Sequence, residues 1–151
     1  MAKQESEFFS SAKSRVGAIG ILQVMPKTAQ LVSKKLGINY NKKLLTNNPN
    51  YNIKIASTYL DYLLEEFNGC LVLALASYNA GPTRVTRWIK TYGNPYDEDI
   101  DMIDWIEKIP FRETRNYVQR ILENYVVYQK VIQDREVEKQ KNILQLLEQR
   151  F

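Results

Sequence analysis

Histidine is missing from this chain of 151 residues, and cysteine occurs once. Without histidine there is no Ser-His-Asp or Cys-His nucleophile and no ordinary His-ligated zinc site. A lone Cys70 cannot form an intrachain disulfide, so cysteine usage does not choose a redox compartment. Its surroundings, residues 69–78, are almost wholly apolar, which predicts a small buried core residue rather than a reactive thiol. Glycine and proline are also scarce, at six and five, and fall singly between long periodic segments. That pattern excludes collagen-like or disordered composition and predicts helices joined by short turns. No apolar run is long enough to cross a bilayer. The opening residues 1–7 are polar, so no signal peptide is read there. The expectation is either a mature or trimmed chain, or one that stays in the cytoplasm.

What is present is ordinary for one globular core, with 44% hydrophobic and 25% charged residues. The net charge of +4 suits a polyanionic partner, but the basic residues are interspersed with acids, as on a solvated surface. No nucleic-acid motif accompanies them, so nucleic acid is not an expected partner.

Residues 1–9 read as the end of a helix and 10–20 as a Ser/Ala/Gly loop. Pro26 opens a helix that Gly37 stops, and Asn48-Pro49 starts another that ends at Gly69. Along that second helix Ile53, Ala56, Leu60, Leu63, Leu64 and Phe67 recur at helical spacing. Residues 71–78 are apolar on nearly all sides, which a short helix tolerates only when surrounded by protein. Pro82 opens a helix carrying Val85, Trp88 and Ile89 inward, and residues 103–107 form a short one before Pro110. Tyr117, Ile121, Tyr125 and Tyr128 then line a stripe on a long helix, beside Val118 and Leu122. Residues 134–151 alternate charges and are helical by propensity, with Ile143, Leu146 and Leu147 as a thin apolar stripe. There is no convincing strand pattern. The fold class read from the chain is all-α.

Four segments stand apart from this scaffold: Gln4-Glu5-Ser6, the Gly-rich stretch 17–26 (GAIGILQVMP), residues 77–82 (SYNAGP) and residues 109–118 (IPFRETRNYV). Together and in this order they resemble the catalytic domain of soluble lytic transglycosylases, related in fold to goose-type lysozyme. The resemblance covers residues 3 to about 130. It implies a lysozyme-like helical domain with a substrate cleft at 1–132, and a charged helical extension at 133–151. In two places the chain departs from the family pattern: Phe9 and Ser10 stand where Asn-Pro is common, and Leu22 where Met is frequent. Only four residues precede Glu5, so the helix leading into it is expected to be short of turns.

Glu5 matches the family's catalytic glutamate. Its chemistry needs a carboxyl group protonated near neutral pH, which burial against apolar groups provides. Phe8, Phe9, Met25 and Tyr78 are the expected walls. A hydrolase would ordinarily need a second carboxylate, and Glu7, Asp61 and Glu65 are nearby in sequence, but none lies in a motif. The resemblance implies another route. Glu5 protonates the oxygen between MurNAc and GlcNAc, and the 2-acetamido group supports the developing cation. Glu5 then takes the proton of the MurNAc C6 hydroxyl as a 1,6-anhydro ring closes. No water is consumed, and neither a metal nor a cofactor is expected.

Ser14, Gln23, Met25, Tyr78, Asn79, Glu113 and Tyr117 match substrate-contacting positions of the family. Gln23 can both donate to and accept from sugar groups, while Met25 offers adaptable apolar contact or plain core packing. Tyr78 is placed to reach the acid or the N-acetyl group, or to pack as a core aromatic. Asn79 alternatively holds the turn before Pro82, and Arg115 with a glutamate reads equally as a surface pair. The expected partner is the peptidoglycan glycan strand, with the tail open to a protein partner. The expected location is periplasm or cell envelope. A truncated or inactive peptidoglycan-binding module of the same fold is the alternative function.

Overall fold

The computed structural model describes the backbone of residues 1–148 and the side chains of residues 1–138. Eight helices occur among the described residues: α1 (Ala2–Ser6), α2 (Pro26–Lys35), α3 (Leu44–Asn47), α4 (Pro49–Glu66), α5 (Leu71–Ala80), α6 (Pro82–Tyr92), α7 (Met102–Glu107) and α8 (Arg112–Glu148). Among the described residues extended structure is limited to two isolated bridges, Lys13 to Ile19 and Ile19 to Val24, which pin the loop after α1. The all-α expectation therefore holds. No described helix is long and apolar enough to cross a membrane.

The helix starts follow the expected chemistry. Pro26, Pro49 and Pro82 each occupy a first-turn position, where no intrahelical bond needs their missing N–H. Asn48 caps α4 by accepting from Tyr51 N at 3.0 Å. Asp101 caps α7 by accepting from Ile103 N and Asp104 N.

Two compact units are present, Met1–Val118 and Gln119–Phe151. In the first, α5 is the central element. Val72, Leu73, Ala74, Leu75 and Ala76 are all buried, as the uniformly apolar sequence requires. Cys70, at the N-cap of α5, is buried as expected. At about 2 kcal/mol for each large side chain buried, this helix is anchored by hydrophobic transfer rather than by propensity. Ile19, Val24, Ala29, Val32, Leu45, Ile55 and Ala56 form a further core cluster that fastens the loop to α2, α3 and α4.

The inward face of α4 is the expected one from Ala56 onward, with Ala56, Leu63 and Phe67 buried and Leu60 and Leu64 half-buried, and differs only at its start. Ile53 is exposed, whereas Asn52, Ile55, Ala56 and Leu63 are buried. The inner row carries a polar residue, Asn52, and a rule that seeks apolar spacing steps over it.

In the second unit Ile121 is buried and Leu122 half-buried, but Tyr125 and Tyr128 are exposed. The expected stripe on the long helix therefore changes character along its length. The tail continues α8 as a helix to Glu148, and the side chains of Ile143, Leu146 and Leu147 lie outside the described residues.

Candidate active site

Glu5 sits in the five-residue helix α1, directly before a reversal of the chain. Glu7 and Phe8 take left-handed backbone conformations (φ 52° and 69°), which turn the chain sharply away. Phe8 and Phe9 consequently point to solvent, at 59% and 65% exposure, and do not wall the acid as expected. The walls come from elsewhere. A cleft of about 270 Å³ is lined by Gln4, Glu5, Ser14, Val16, Ala18, Gln23, Met25, Tyr78, Asn79, Glu113 and Tyr117. All eight residues matched to the family's catalytic and substrate-contacting positions are among them. Glu7, Asp61 and Glu65 are not, so Glu113 is the second carboxylate facing this cleft.

Burial pushes the Glu5 carboxyl up from 4.5 to about 7. The Tyr117 hydrogen bond and the Met1 ammonium oppose that rise, and the nearby charge of Glu113 adds to it. Tyr117, itself buried, donates its hydroxyl proton to Glu5 Oε1 at 2.5 Å. Desolvation first, and the negative charge of Glu5 second, push both Tyr78 and Tyr117 upward, so both phenols keep their protons. Glu5 is thus a half-protonated acid near neutrality, with one oxygen tethered and the other left for the cleft.

The loop between α1 and α2 is rigid for identifiable reasons. Gln23 adopts a left-handed conformation (φ 45°) that costs a non-glycine residue energy. Its side-chain amide curls back and donates to Gly20 O at 2.8 Å and Ala12 O at 3.2 Å. Ser14 Oγ accepts from Ala18 N at 2.9 Å while lining the cleft, so it serves the loop and the surface together. Ser6 donates to Ile21 O at 2.8 Å, and Tyr78 donates to Leu22 O at the same distance. Tyr78 therefore gives its proton to the loop, and towards the cleft its oxygen is an acceptor. Asn79 Oδ1 accepts from the buried Thr114 hydroxyl at 2.7 Å, joining α5 to the first turn of α8. Met25 is 41% exposed at the cleft rather than packed in the core.

Residues 1–100 match the transglycosylase SLT domain, and residues 108–136 match the soluble lytic transglycosylase helical domain. The chain belongs to the transglycosylase SLT domain family.

Similarity to individual members agrees with this. The chain is 40% identical over 123 residues to the soluble lytic murein transglycosylase of Escherichia coli K12, covering 81% of this chain and 18% of that protein. A putative soluble lytic murein transglycosylase of Haemophilus influenzae is 31% identical over 136 residues, covering 90% of this chain and 22% of that protein. Among solved structures, an inactive mutant of the lytic transglycosylase Slt from Pseudomonas aeruginosa superposes with a TM-score of 0.78 at 41% identity, covering 87% of this chain and 21% of that one. The 70 kDa soluble lytic transglycosylase of E. coli gives 0.71, also at 41% identity, over 80% of this chain and 19% of that one. The chain thus spans about a fifth of the length of these relatives.

Arg115, in the segment that matches the soluble lytic transglycosylase helical domain, lies apart from the cleft. It pairs with Glu107 at 3.8 Å and donates to the carbonyls of Glu107 and Ile109, so it braces the α7–α8 corner. Two contributors were not read from the sequence. Thr114 holds Asn79, and Asn52 reaches the loop by donating to Ile19 O and accepting from Leu22 N. The signal for Thr114 was its place inside a quoted motif, whereas Asn52 lay in none.

Proposed function

We propose that this SLT domain cleaves the β-1,4 bond between MurNAc and GlcNAc in peptidoglycan and leaves a 1,6-anhydro-MurNAc end. The observation that carries this reading is Glu5, a desolvated carboxyl with a pKa of about 7, tethered by Tyr117 in an open cleft. With Oε1 accepting from Tyr117, the transferable proton belongs on Oε2. Glu5 delivers it to the glycosidic oxygen as the bond to the MurNAc C1 breaks, and GlcNAc leaves with a hydroxyl. The substrate's own 2-acetamido group supports the positive charge at C1. Tyr78, with its proton committed to Leu22, accepts from the acetamido N–H and leaves the acetamido carbonyl free to face C1. Glu5, now a carboxylate, takes the proton of the C6 hydroxyl as O6 bonds to C1. One bond breaks and one forms, the proton returns to Glu5, and no water enters. The tethered hydroxyl has a high effective concentration, which favours ring closure over hydrolysis.

Gln23, Met25, Asn79 and Glu113 line the same cleft and are assigned to sugar contacts, with Ser14 shaping the rim. The catalytic part is placed at residues 1–132, and the charged extension at 133–151 is left to contacts with a partner. The substrate puts the site of action in the periplasm or cell envelope.

Digestion of purified sacculi followed by mass spectrometry tests the reaction. Muropeptides lighter by one water than the reducing-end products are expected. Reducing-end muropeptides alone would assign a hydrolase instead.

A further inference from the structure

Residues Ile21 and Leu22 form a short strip of backbone at which three helices meet. Ile21 O accepts from Ser6 Oγ of α1 at 2.8 Å, and Leu22 N donates to Asn52 Oδ1 of α4 at 3.0 Å. Leu22 O accepts from the Tyr78 hydroxyl of α5 at 2.8 Å. The first two bonds sit on opposite edges of one peptide unit. Because that unit is planar, its carbonyl cannot turn away from Ser6 without its N–H turning away from Asn52.

Asn52 is suited to fix this plane. It has no exposed surface, and its Nδ2 donates to Ile19 O and Leu45 O, both at 3.0 Å. It therefore grips the loop on both sides of Gly20 while resting on α3. The loop comes so close that a Cβ on Gly20 would lie 2.2 Å from Asn52 Nδ2 and from Leu45 O. No other side chain of this size supplies two donors and one acceptor. Aspartate would set an oxygen against two carbonyl oxygens, and leucine would take the Asn52 partner from Leu22 N and Leu45 O, leaving Ile19 O with Val24 N alone.

We propose that Asn52 is a positioning residue for Glu5 and Tyr78: it orients the Ile21–Leu22 peptide so that Ser6 holds α1 over the cleft and Tyr78 keeps its proton on Leu22. Its catalytic meaning rests on the reading of Glu5 as the acid. Its effect on the carboxyl itself does not depend on turnover. If the loop turns, α1 loosens and water reaches Glu5, which reverses the desolvation that dominates its titration.

The test uses the full chain with Asn52→Ser and Ser6→Ala, each followed by NMR titration of carbon-13-labelled glutamate and by kcat and KM on glycan strands. Ser33→Ala is the control, because the buried Ser33 hydroxyl pairs with Tyr51 and none of its bonds reaches the loop. In both test variants the Glu5 midpoint should fall from about 7 by roughly one pH unit or more. For them kcat should drop about tenfold or more, with KM changed by less than about twofold. The control should lose melting temperature but keep the midpoint. An Asn52→Ser protein that melts lower while its Glu5 midpoint and kcat stay unchanged overturns the proposal. Should that variant fail to fold, Ser6→Ala decides through the same peptide, and an unmoved midpoint there overturns it. If the unaltered chain cleaves no glycan, the functional reading fails, while the titration still judges Asn52.

Discussion

Replacing Glu5 by glutamine should abolish cleavage and, above neutral pH, make the protein more stable. In the folded chain the carboxyl titrates at about 7, against 4.5 when free of its surroundings. Between those values the folded state holds a proton that the unfolded state has released. Stability from this group is therefore greatest below about pH 4.5 and is lost as pH rises through about 7. At about 1.4 kcal/mol for each pH unit, the gap corresponds to about 3 kcal/mol. Glu5 keeps some contact with water at the cleft, and about 2 kcal/mol is the sounder figure. Glutamine has the shape of the protonated acid and carries no charge to desolvate. Glu5→Gln should match the parent at pH 4 and exceed it at pH 8 by about 2 kcal/mol, or several degrees in Tm for a domain of this size. Urea or thermal unfolding of both proteins at the two pH values, alongside sacculus digestion, makes the measurement. A stability difference that is the same at pH 4 and pH 8 would refute the argument that burial sets the acid's pKa. Retained cleavage would refute the assignment of Glu5.

Tyr117→Phe removes the bond that pulls the Glu5 pKa down, so the alkaline limb of the rate profile should move to higher pH. The lost tether should also cost about tenfold in kcat, the scale of one hydrogen bond to a charged group. Glu113→Gln acts in the opposite sense. Removing a like charge lowers the Glu5 pKa, and a pH–rate profile should show the same limb at lower pH. Gly20→Ala combines a left-handed φ of 82° with a Cβ 2.2 Å from Asn52 and Leu45 O. It should destabilise the protein by about 2 kcal/mol or more in urea unfolding, and an unaffected midpoint would contradict the tight loop.

Helix starts were legible because Pro26, Pro49 and Pro82 announce them by backbone chemistry alone. The fold class followed from the same marks and from the apolar run of α5. Most of the candidate cleft was legible because its members, Ser14 and Val16 apart, fall in four ordered motifs. What escaped reading is what depends on contacts distant in sequence. Asn52 bonds to residues 30 and 33 positions away, and on its own helix it looks like a polar surface residue. Its presence in the inner row also hides the start of that row, where Ile53 faces out and Ile55 faces in, although the phase from Ala56 to Phe67 is as expected. Adjacency to Glu5 makes Phe8 and Phe9 look like walls, and the left-handed turn that sends them outward gives no apolar or spacing signal.

The bond from Tyr117 to Glu5 joins residues 112 positions apart. Local pairings form early in folding, and contacts this distant in sequence carry the largest loop-closure cost. Where that distant contact is not made, the desolvation that raises the Glu5 pKa is expected to be incomplete and the carboxyl to ionise more readily at neutral pH. What makes the carboxyl an acid near neutrality is burial in the finished fold, against the downward pull of the Tyr117 bond. For a protein proposed to cut the polymer that holds a cell together, acid strength is thereby tied to the completed fold.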